Sequence, residues 1–481
     1  MRPLITEITT QHTPASLAAS LCHEPGVVLL RSGMPDSSQS RYSFVTAKPF
    51  LTFRSYGSRC ELRSQNGLQE VFGNPWHTLD SLMSRYELLD ELDLPFPVGG
   101  CFGYWGYDLK NFVEPKLTRN AVNDLELPDC HVGFYDSVVV FDHRLGKAWL
   151  IVTGLNVDGS RSEESANESA IWWQEKLGAA SEEQVNPASE KQHLTASVTS
   201  CFTREQFIAK VERAQRYIWS GDIYQVNLAQ RLSAPLNDTP WNFFERLAEV
   251  SPAPFAAYID CGDFALASSS PELFLRLSGS HITTRPIKGT RPRAHDPVRD
   301  AQLTYELQTS PKEMAELVMI TDLLRNDLGR VCEYGSVQVP ELVRLERYAQ
   351  VQHLVSTVEG RLREDVTHFA AFASCFPGGS ITGAPKIRAM EIIDELENVA
   401  RGPYTGCIGY LGFNRESQLN ITIRTAVCQG DKVHFHVGAG IVADSIPAAE
   451  YDETLAKAGG FLTALQLQAQ SEYRPATTSA S

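Results

Sequence analysis

Short apolar runs separated by turn residues fill the first 150 positions. "GVVLL" (26–30), "YSFVTAKPFLTF" (42–53), "DSVVVFD" (136–142) and "KAWLIVTG" (147–154) are rich in β-branched and aromatic residues and predict strands. Residues 155–200 change character. "NVDGSRSEESANESA" and "ASEEQVNPASEKQ" concentrate Ser, Glu and Asn around an apolar "IWWQEKLG". That composition predicts a linker or insertion carrying one short packed helix. Beyond it the period shifts toward 3.6. "TREQFIAKVERAQRYIWSGD" has Thr203 as N-cap with Gln206 completing a capping box, then Phe207, Val211, Ala214 and Ile218 on one face, and Gly221 as stop. "SPKEMAELVMITDLLRNDLGR" repeats the logic with Ser310, Pro311, Glu313 and Gly329. A third helix is expected from Pro385, with Ile387, Met390, Ile393 and Leu396 inward, and a fourth after "DSIPAAEYDETLAKAGGFL". Strand-like "IYQVNLAQ", "FALASSS", "CIGYLGF", "LNITIRTAV" and "VHFHVGAGIV" lie between them. Helices and strands mix without regular βαβ spacing, so the fold class is α+β. The organisation is 1–154, a linker or insertion at 155–200, a second region at 201–468 and a tail at 469–481.

Composition narrows the function classes. The 481 residues are 43% apolar and 21% charged, ordinary for a globular chain. A net charge of −15 argues against general affinity for nucleic acid or anionic membrane, while leaving room for a local anion pocket. No apolar run reaches membrane-spanning length, and polar residues interrupt the N-terminus before a signal-peptide core forms. The ten cysteines are scattered without a CxxC pair, which excludes a zinc cluster and fits reduced thiols in a cytoplasmic protein.

Several stretches carry candidate chemistry. In "TRPIKGTRPR" (284–293), Lys288 sits in a Pro/Gly-punctuated loop beside Arg285, Arg291 and Arg293. Those arginines would favour a neutral, attacking amine, although the stretch on its own reads better as an anion-binding loop. Glu313 with Glu316, and Glu450 with Glu453, each lie three apart on a helix and share a face. Together they are a candidate Mg²⁺ site; a capping role for Glu313 and an i,i+4 pair of Glu453 with Lys457 are the plainer readings. "FPGGSITGAP" leads into a helix N-terminus suited to an anion, but the Walker spacing fails, which excludes a conventional P-loop phosphotransferase. Arg424, within "ITIRT", can fork onto a carboxylate. Cys407 in "GCIGY" is apolar-strand cysteine and reads as structural.

In order, "GDIYQVNLAQ", "SSSPELF", "TRPIKGT", "AELVMITDLLRNDLGR", "HLVSTV", "FPGGSITGAPKIRAMEIIDELE", "GCIGYLGF", "ITIRT" and "GAGIVADS…EYDETLAKA" span 203 to 460. This series resembles the chorismate-binding domain shared by component I of anthranilate synthase, component I of aminodeoxychorismate synthase, and isochorismate and salicylate synthases. "LLRSG", "SRYSF" and "CFGYWGYDL" resemble the N-terminal half of the same family more loosely. The resemblance implies one large α+β unit of two facing β-sheets surrounded by helices. It implies chorismate as substrate and Mg²⁺ as cofactor, with Glu316 and Glu453 as ligands and Glu313 and Glu450 in support. Gly289, Thr290, Thr382, Tyr404, Arg424, Gly438, Ala439, Gly440 and Lys457 match substrate-gripping positions, Glu272 matches the general acid, and His353 lies near the ring.

Two positions separate the siblings. Gln225 stands where the water-adding members carry a lysine base, which resembles the ammonia-using members. Lys288 in "PIKGT" resembles the aminodeoxychorismate-forming branch, whereas anthranilate synthases typically read "PIAGT". The implied reaction is covalent catalysis by Lys288, giving 4-amino-4-deoxychorismate, the precursor of para-aminobenzoate in folate biosynthesis. Anthranilate synthesis is the alternative, and a non-catalytic scaffold is disfavoured by the intact carboxylates. No class I glutaminase elbow (Gly-x-Cys-x-Gly with downstream His and Glu) is read in the chain, so a separate glutamine amidotransferase subunit is implied. Ser32, Gln39, Ser40, Arg41, Tyr42, Pro254, Phe255 and Ala256 match the family's tryptophan-binding region.

Overall fold

The alternating runs pair into two large sheets that face one another. In the computed structural model, residues 2–34, 39, 41–88, 94–178, 198–348, 351–467 and 473–475 are described. Among them one sheet has 13 strands and the other 12, almost all antiparallel. Each sheet mixes both halves of the chain. In the larger, Val28–Arg31 pairs with Phe255–Asp260. In the smaller, Gly100–Trp105 pairs with Cys407–Gly412. The core between the sheets is aromatic, with Phe53, Tyr86, Phe102, Tyr104, Trp105 and Phe134 all fully buried. Helices Pro14–Ser20, Glu163–Gly178, Pro240–Val250 and Pro447–Ala464 cover the far face of the 13-stranded sheet through Leu17, Trp173, Phe243 and Phe461. Among the described residues no helix is long and apolar enough to cross a membrane.

Sequence periodicity locates most helices, and the differences have local causes. The box of Thr203 and Gln206 forms in both directions, and helix Arg204–Trp219 ends just before Gly221, which is left-handed at φ +81°. At helix Pro311–Gly329 only half of the expected box forms. Ser310 accepts from the Glu313 amide, but the Glu313 carboxylate turns to Arg291 at 3.3 Å, and Gly329 stays inside the helix. On helix Lys386–Leu396, Met390, Ile393 and Leu396 are buried as expected, whereas Ile387 is 47% exposed and Ala389 and Ile392 take the inner face. The stretch around Lys288 is not a free loop. Ile287–Pro292 is a strand paired with Val351–Arg361.

Within the segment read as a linker, Trp173 is fully buried and its indole donates to the Ser137 hydroxyl at 2.9 Å. Residues 179–197, 468–472 and 476–481 lie outside the described residues.

Among the short crossings that join the sheets, two bear on the site. "LNITIRTAV" is two strands, Glu416–Ile421 in the smaller sheet and Thr425–Gln429 in the larger, with Thr422–Arg424 passing between. The chain crosses the other way at Pro271–Glu272, between Ala265–Ser270 and Leu273–Ser278. The crossings lie side by side. The Ile421 amide donates to the Glu272 carbonyl at 3.0 Å, and the Ser269 amide to the Arg424 carbonyl at 3.0 Å.

Glycine fixes the closest strand approach. Gly103 and Gly409 stand directly opposite, at φ +153° and +156°. A Cβ on Gly103 would lie 2.2 Å from the His131 carbonyl oxygen. Gly103→Ala is therefore expected to cost about 3 kcal/mol of stability, read as a lowered midpoint in urea unfolding.

Candidate functional site

The two crossings deliver an acid and an arginine to one end of the space between the sheets. Glu272 is 5% exposed, and burial pushes its carboxyl up to about 7 despite hydrogen bonds from Ser380 and the Ile287 amide and the nearby charge of Lys288. It therefore titrates near neutral pH instead of in the usual carboxylate range. Arg424 takes a left-handed backbone at φ +53°, and its Nη1 donates to the Lys457 carbonyl at 3.2 Å. The strain of a non-glycine residue there is set by the crossing that pairs with Ser269.

Lys288 reaches the same point from strand Ile287–Pro292. Its Nζ donates to the Ser380 carbonyl at 3.4 Å and lies 3.9 Å from Glu316 Oε2. The neighbouring arginines do not surround it. Arg285 is held by Glu346 at 2.7 Å, Arg291 by Glu313 at 3.3 Å and Arg293 by Asp300 at 2.8 Å. The positive cluster in the sequence is thus three separate ion pairs, not a common field on the lysine. His353 sits opposite Thr290, its Nδ1 2.8 Å from the Thr290 hydroxyl, and burial lowers it to about 4, so the ring is neutral. Gly289 gives room for this strand to pack. A Cβ there would meet Leu307 at 2.7 Å and the Glu313 carboxylate at 3.1 Å.

The remaining wall comes from strands Gln225–Pro235 and Lys432–Ile441 and helix Pro447–Ala464. Gln225 is buried, with its amide nitrogen lying over Gly440. Tyr404 is buried, with its hydroxyl beside Gly438 and its ring stacked on His436 at 5.0 Å. Lys457 Nζ donates to the Gly438 carbonyl at 2.8 Å and pairs with Glu453 at 2.7 Å. Thr382 is fully buried and its hydroxyl donates to the Gly378 carbonyl at 3.1 Å. Ala439 points to the opposite face, into the core behind the strand. The sequence reading missed Ser380, which binds Lys288 and Glu272 together. It lies within the quoted "FPGGSITGAP", but only backbone was argued there, and no periodicity marks a single serine.

Among the described residues no three His, Cys, Asp or Glu side chains converge as a ready-made metal cluster. A Mg²⁺ ion nevertheless fits the carboxylates of the two helices. Burial raises both Glu316 and Glu450 above the ordinary range, with Glu313 and Glu450 adding to the shift at Glu316 and Glu453 to that at Glu450. A divalent cation relieves such repulsion, and Mg²⁺ takes only one or two carboxylates besides water and substrate oxygens. Glu450 is steadied by the Ser445 hydroxyl at 2.6 Å.

A second cavity of about 300 Å³ lies elsewhere, between the two halves of the chain. It gathers Ser32, Gln39, Arg41, Tyr42, Pro254, Phe255 and Ala256 from the sequence-predicted set, while Ser40 lies outside the described residues. Arg276, Tyr410 and Gln418 also line it, and only the sheet topology brings them there.

One sequence statement needs correcting. Gly99–Gly103 does spell Gly-x-Cys-x-Gly. Cys101, however, lies within strand Gly100–Trp105, fully buried, with its thiol pushed well up by burial. It is neither on a strand-to-helix turn nor accessible, so it is no nucleophile elbow. Cys407 is likewise fully buried within a strand, its thiol also raised by burial.

The family model described as chorismate binding enzyme matches residues 37–463. The chain is 40% identical over 476 residues to anthranilate synthase component 1 of Acetivibrio thermocellus, covering 96% of this chain and 95% of the relative. It is 39% identical over 465 residues to aminodeoxychorismate synthase component 1 of Escherichia coli (strain K12), covering 96% and 98%. Among solved structures it is similar to anthranilate synthase component I from Streptococcus pneumoniae, with a TM-score of 0.77, 31% identity, and 89% and 93% covered.

The raised carboxyl of Glu272 gives a prediction with a defined sign. Its protonated form is the one the fold prefers, so its contribution to stability is full below about pH 4.5 and is lost as pH rises through about 7. Glu272→Gln carries no such loss. Chemical denaturation is expected to show the variant gaining on the wild type by roughly 3 kcal/mol between pH 4 and pH 9, while turnover is lost.

Proposed function

The chain belongs to the chorismate-binding enzymes, and from that premise we propose that it converts chorismate and ammonia to 4-amino-4-deoxychorismate. The observation that carries this reading is the sharing of Ser380 by Lys288 and Glu272. A nucleophile and an acid thus meet at one point, inside a site that Gln225 completes without a lysine base.

Arg424, Lys457, Tyr404 and the backbone of Gly438 and Gly440 hold the dicarboxylate. Mg²⁺, when bound, neutralises the ring carboxylate, with Glu316 and Glu453 holding it and Glu313 and Glu450 in support. Glu316, 3.9 Å from Lys288 Nζ, would hold the ion beside the nucleophile. The Lys288 amine then bonds to C2 as both ring double bonds shift, the C4–O bond breaks, and Glu272 protonates the departing hydroxyl to water. Ammonia bonds to C4, both double bonds return, and the C2–N bond to Lys288 breaks, restoring the amine. Excess protons return to the Glu272 carboxylate and to solvent. His353, neutral and fixed by Thr290, keeps the Lys288 strand in register. A separate glutamine amidotransferase subunit supplies the ammonia, a reading supported by relatives that are themselves component 1 proteins. The product feeds para-aminobenzoate formation in the cytoplasm.

Relatives of both product classes are about equally similar, so anthranilate is the competing product. Mass-spectrometric analysis of the purified chain with chorismate, Mg²⁺ and ammonium salt separates the two. A product in which amine replaces hydroxyl with the enolpyruvyl group intact is expected, and Lys288→Ala should lower its formation by at least about a hundredfold. Anthranilate with free pyruvate, or full activity in Lys288→Ala, would reject the reading.

The second cavity is proposed to take tryptophan. Its wall combines Phe44 and Tyr410 with Arg41, Arg276 and Glu416, suited to an aromatic ring bearing a carboxylate and an ammonium. Isothermal titration with tryptophan should show one binding event per chain, abolished in Ser32→Leu.

A further inference from the structure

We propose that Gln215, on helix Arg204–Trp219, is a positioning residue for Glu450 and Glu453, acting through Ser445 to anchor the turn that starts helix Pro447–Ala464. This rests on the reading that Glu316 and Glu453 hold Mg²⁺ with Glu450 in support.

Helix Pro447–Ala464 carries both glutamates, so the place where it begins decides where they point. Its own sequence fixes that start weakly. The N-cap position is Ile446, which has no side-chain oxygen to offer the first amides and is 67% exposed. Helices Arg204–Trp219 and Pro311–Gly329, by contrast, are capped by the hydroxyls of Thr203 and Ser310. An uncapped helix that must aim two carboxylates needs another anchor.

The neighbouring helix supplies it. Gln215 is 5% exposed, on the face that also buries Phe207, Val211 and Ala214, an unusual place for an amide. Its Nε2 donates to the Ser445 carbonyl at 2.7 Å and to the Ala443 carbonyl at 3.2 Å. The turn is also closed from within. The Ser445 amide donates to the Val442 carbonyl at 3.1 Å, and the Ser445 hydroxyl accepts from the Val442 amide at 3.1 Å. That hydroxyl in turn donates to Glu450 Oε1 at 2.6 Å. One chain of bonds therefore runs from Gln215 through Ser445 to Glu450, and Glu450 Oε2 is left for the ion or its waters.

Packing alone does not do this. The two helices also meet through Phe207 and Tyr451, with ring centroids 5.8 Å apart. Such a contact holds helices together without fixing the reach of the turn, whereas hydrogen bonds are directional. The amide is also the right donor. A lysine or arginine at 215 would bring a cation toward Glu450 and compete with Mg²⁺, while glutamine holds both carbonyls and adds no charge.

The test titrates magnesium chloride into the metal-free chain and reads the heat of binding. Chorismate is present and ammonia withheld, so that no aminated product forms. Gln215→Leu keeps the bulk and deletes the donor, and Ser445→Ala deletes the hydroxyl. Each is expected to raise the Kd for Mg²⁺ about tenfold, with Ser445→Thr holding the wild-type value. The double variant should bind no more weakly than the weaker single one, because both changes act through one turn. Either single variant carries the test if the other does not fold. A lowered melting temperature with an unchanged Kd makes Gln215 a packing residue and overturns the proposal. A loss of about a hundredfold in the double variant makes the two residues independent and overturns it as well. A wild-type chain that takes up no Mg²⁺ overturns the metal assignment, and the proposal with it.

Discussion

Two crossings of the chain between the sheets, hydrogen-bonded side by side, set the positions of Glu272 and Arg424, around which the other site residues gather. Pro271–Glu272 runs one way and Thr422–Arg424 the other, and backbone bonds between Ile421 and Glu272 and between Ser269 and Arg424 lock them together. A strand that changes sheets cannot keep its ladder through the change. The residues at the crossing therefore leave regular conformation and turn toward the space between the layers. That is how a carboxyl comes to be buried and an arginine to hold φ +53°.

The crossings are stable because the sheets are shared. Strands from the first 150 residues lie in the interior of both, against Phe255–Asp260 in one and Cys407–Gly412 in the other. Neither half can move away without opening a full ladder of backbone bonds. The same interleaving creates the larger cavity, whose walls come from Ser32, Pro254 and Asn420, far apart in the chain. Any ligand seated there would touch both halves and the strand Glu416–Ile421 that leads into the Arg424 crossing.

Charge is handled locally in this acidic chain. The arginines flanking Lys288 are paired, and the fully buried Arg401 is clamped by Glu397 while donating to the Asn227 carbonyl at 2.8 Å and the Ile381 carbonyl at 3.3 Å. That network fixes the strand bearing Gln225 and Asn227 against the turn bearing Thr382. Glu316 and Glu450 are shifted upward by burial, although Lys288 lies 3.9 Å from Glu316 and the Ser445 hydroxyl donates to Glu450 at 2.6 Å.

Local pattern was enough to place the helices Arg204–Trp219, Pro311–Gly329 and Lys386–Leu396, because caps and a 3.6-residue period are properties of adjacent residues. Ordered motifs were enough to name the family and to bring Lys288, Glu272, Glu316, Glu453 and Arg424 onto one roster. Other features needed the tertiary structure. The three arginines beside Lys288 look like one field in the sequence and are three separate ion pairs in space. "LNITIRTAV" looks like one strand and is two, in different sheets. Ser380 carries no periodic or compositional mark at all. The physical reason is range. Caps, turns and periodicity are decided within about one helical turn or strand pair, whereas ion-pair partners and sheet crossings are decided by residues that only folding brings within a few ångströms.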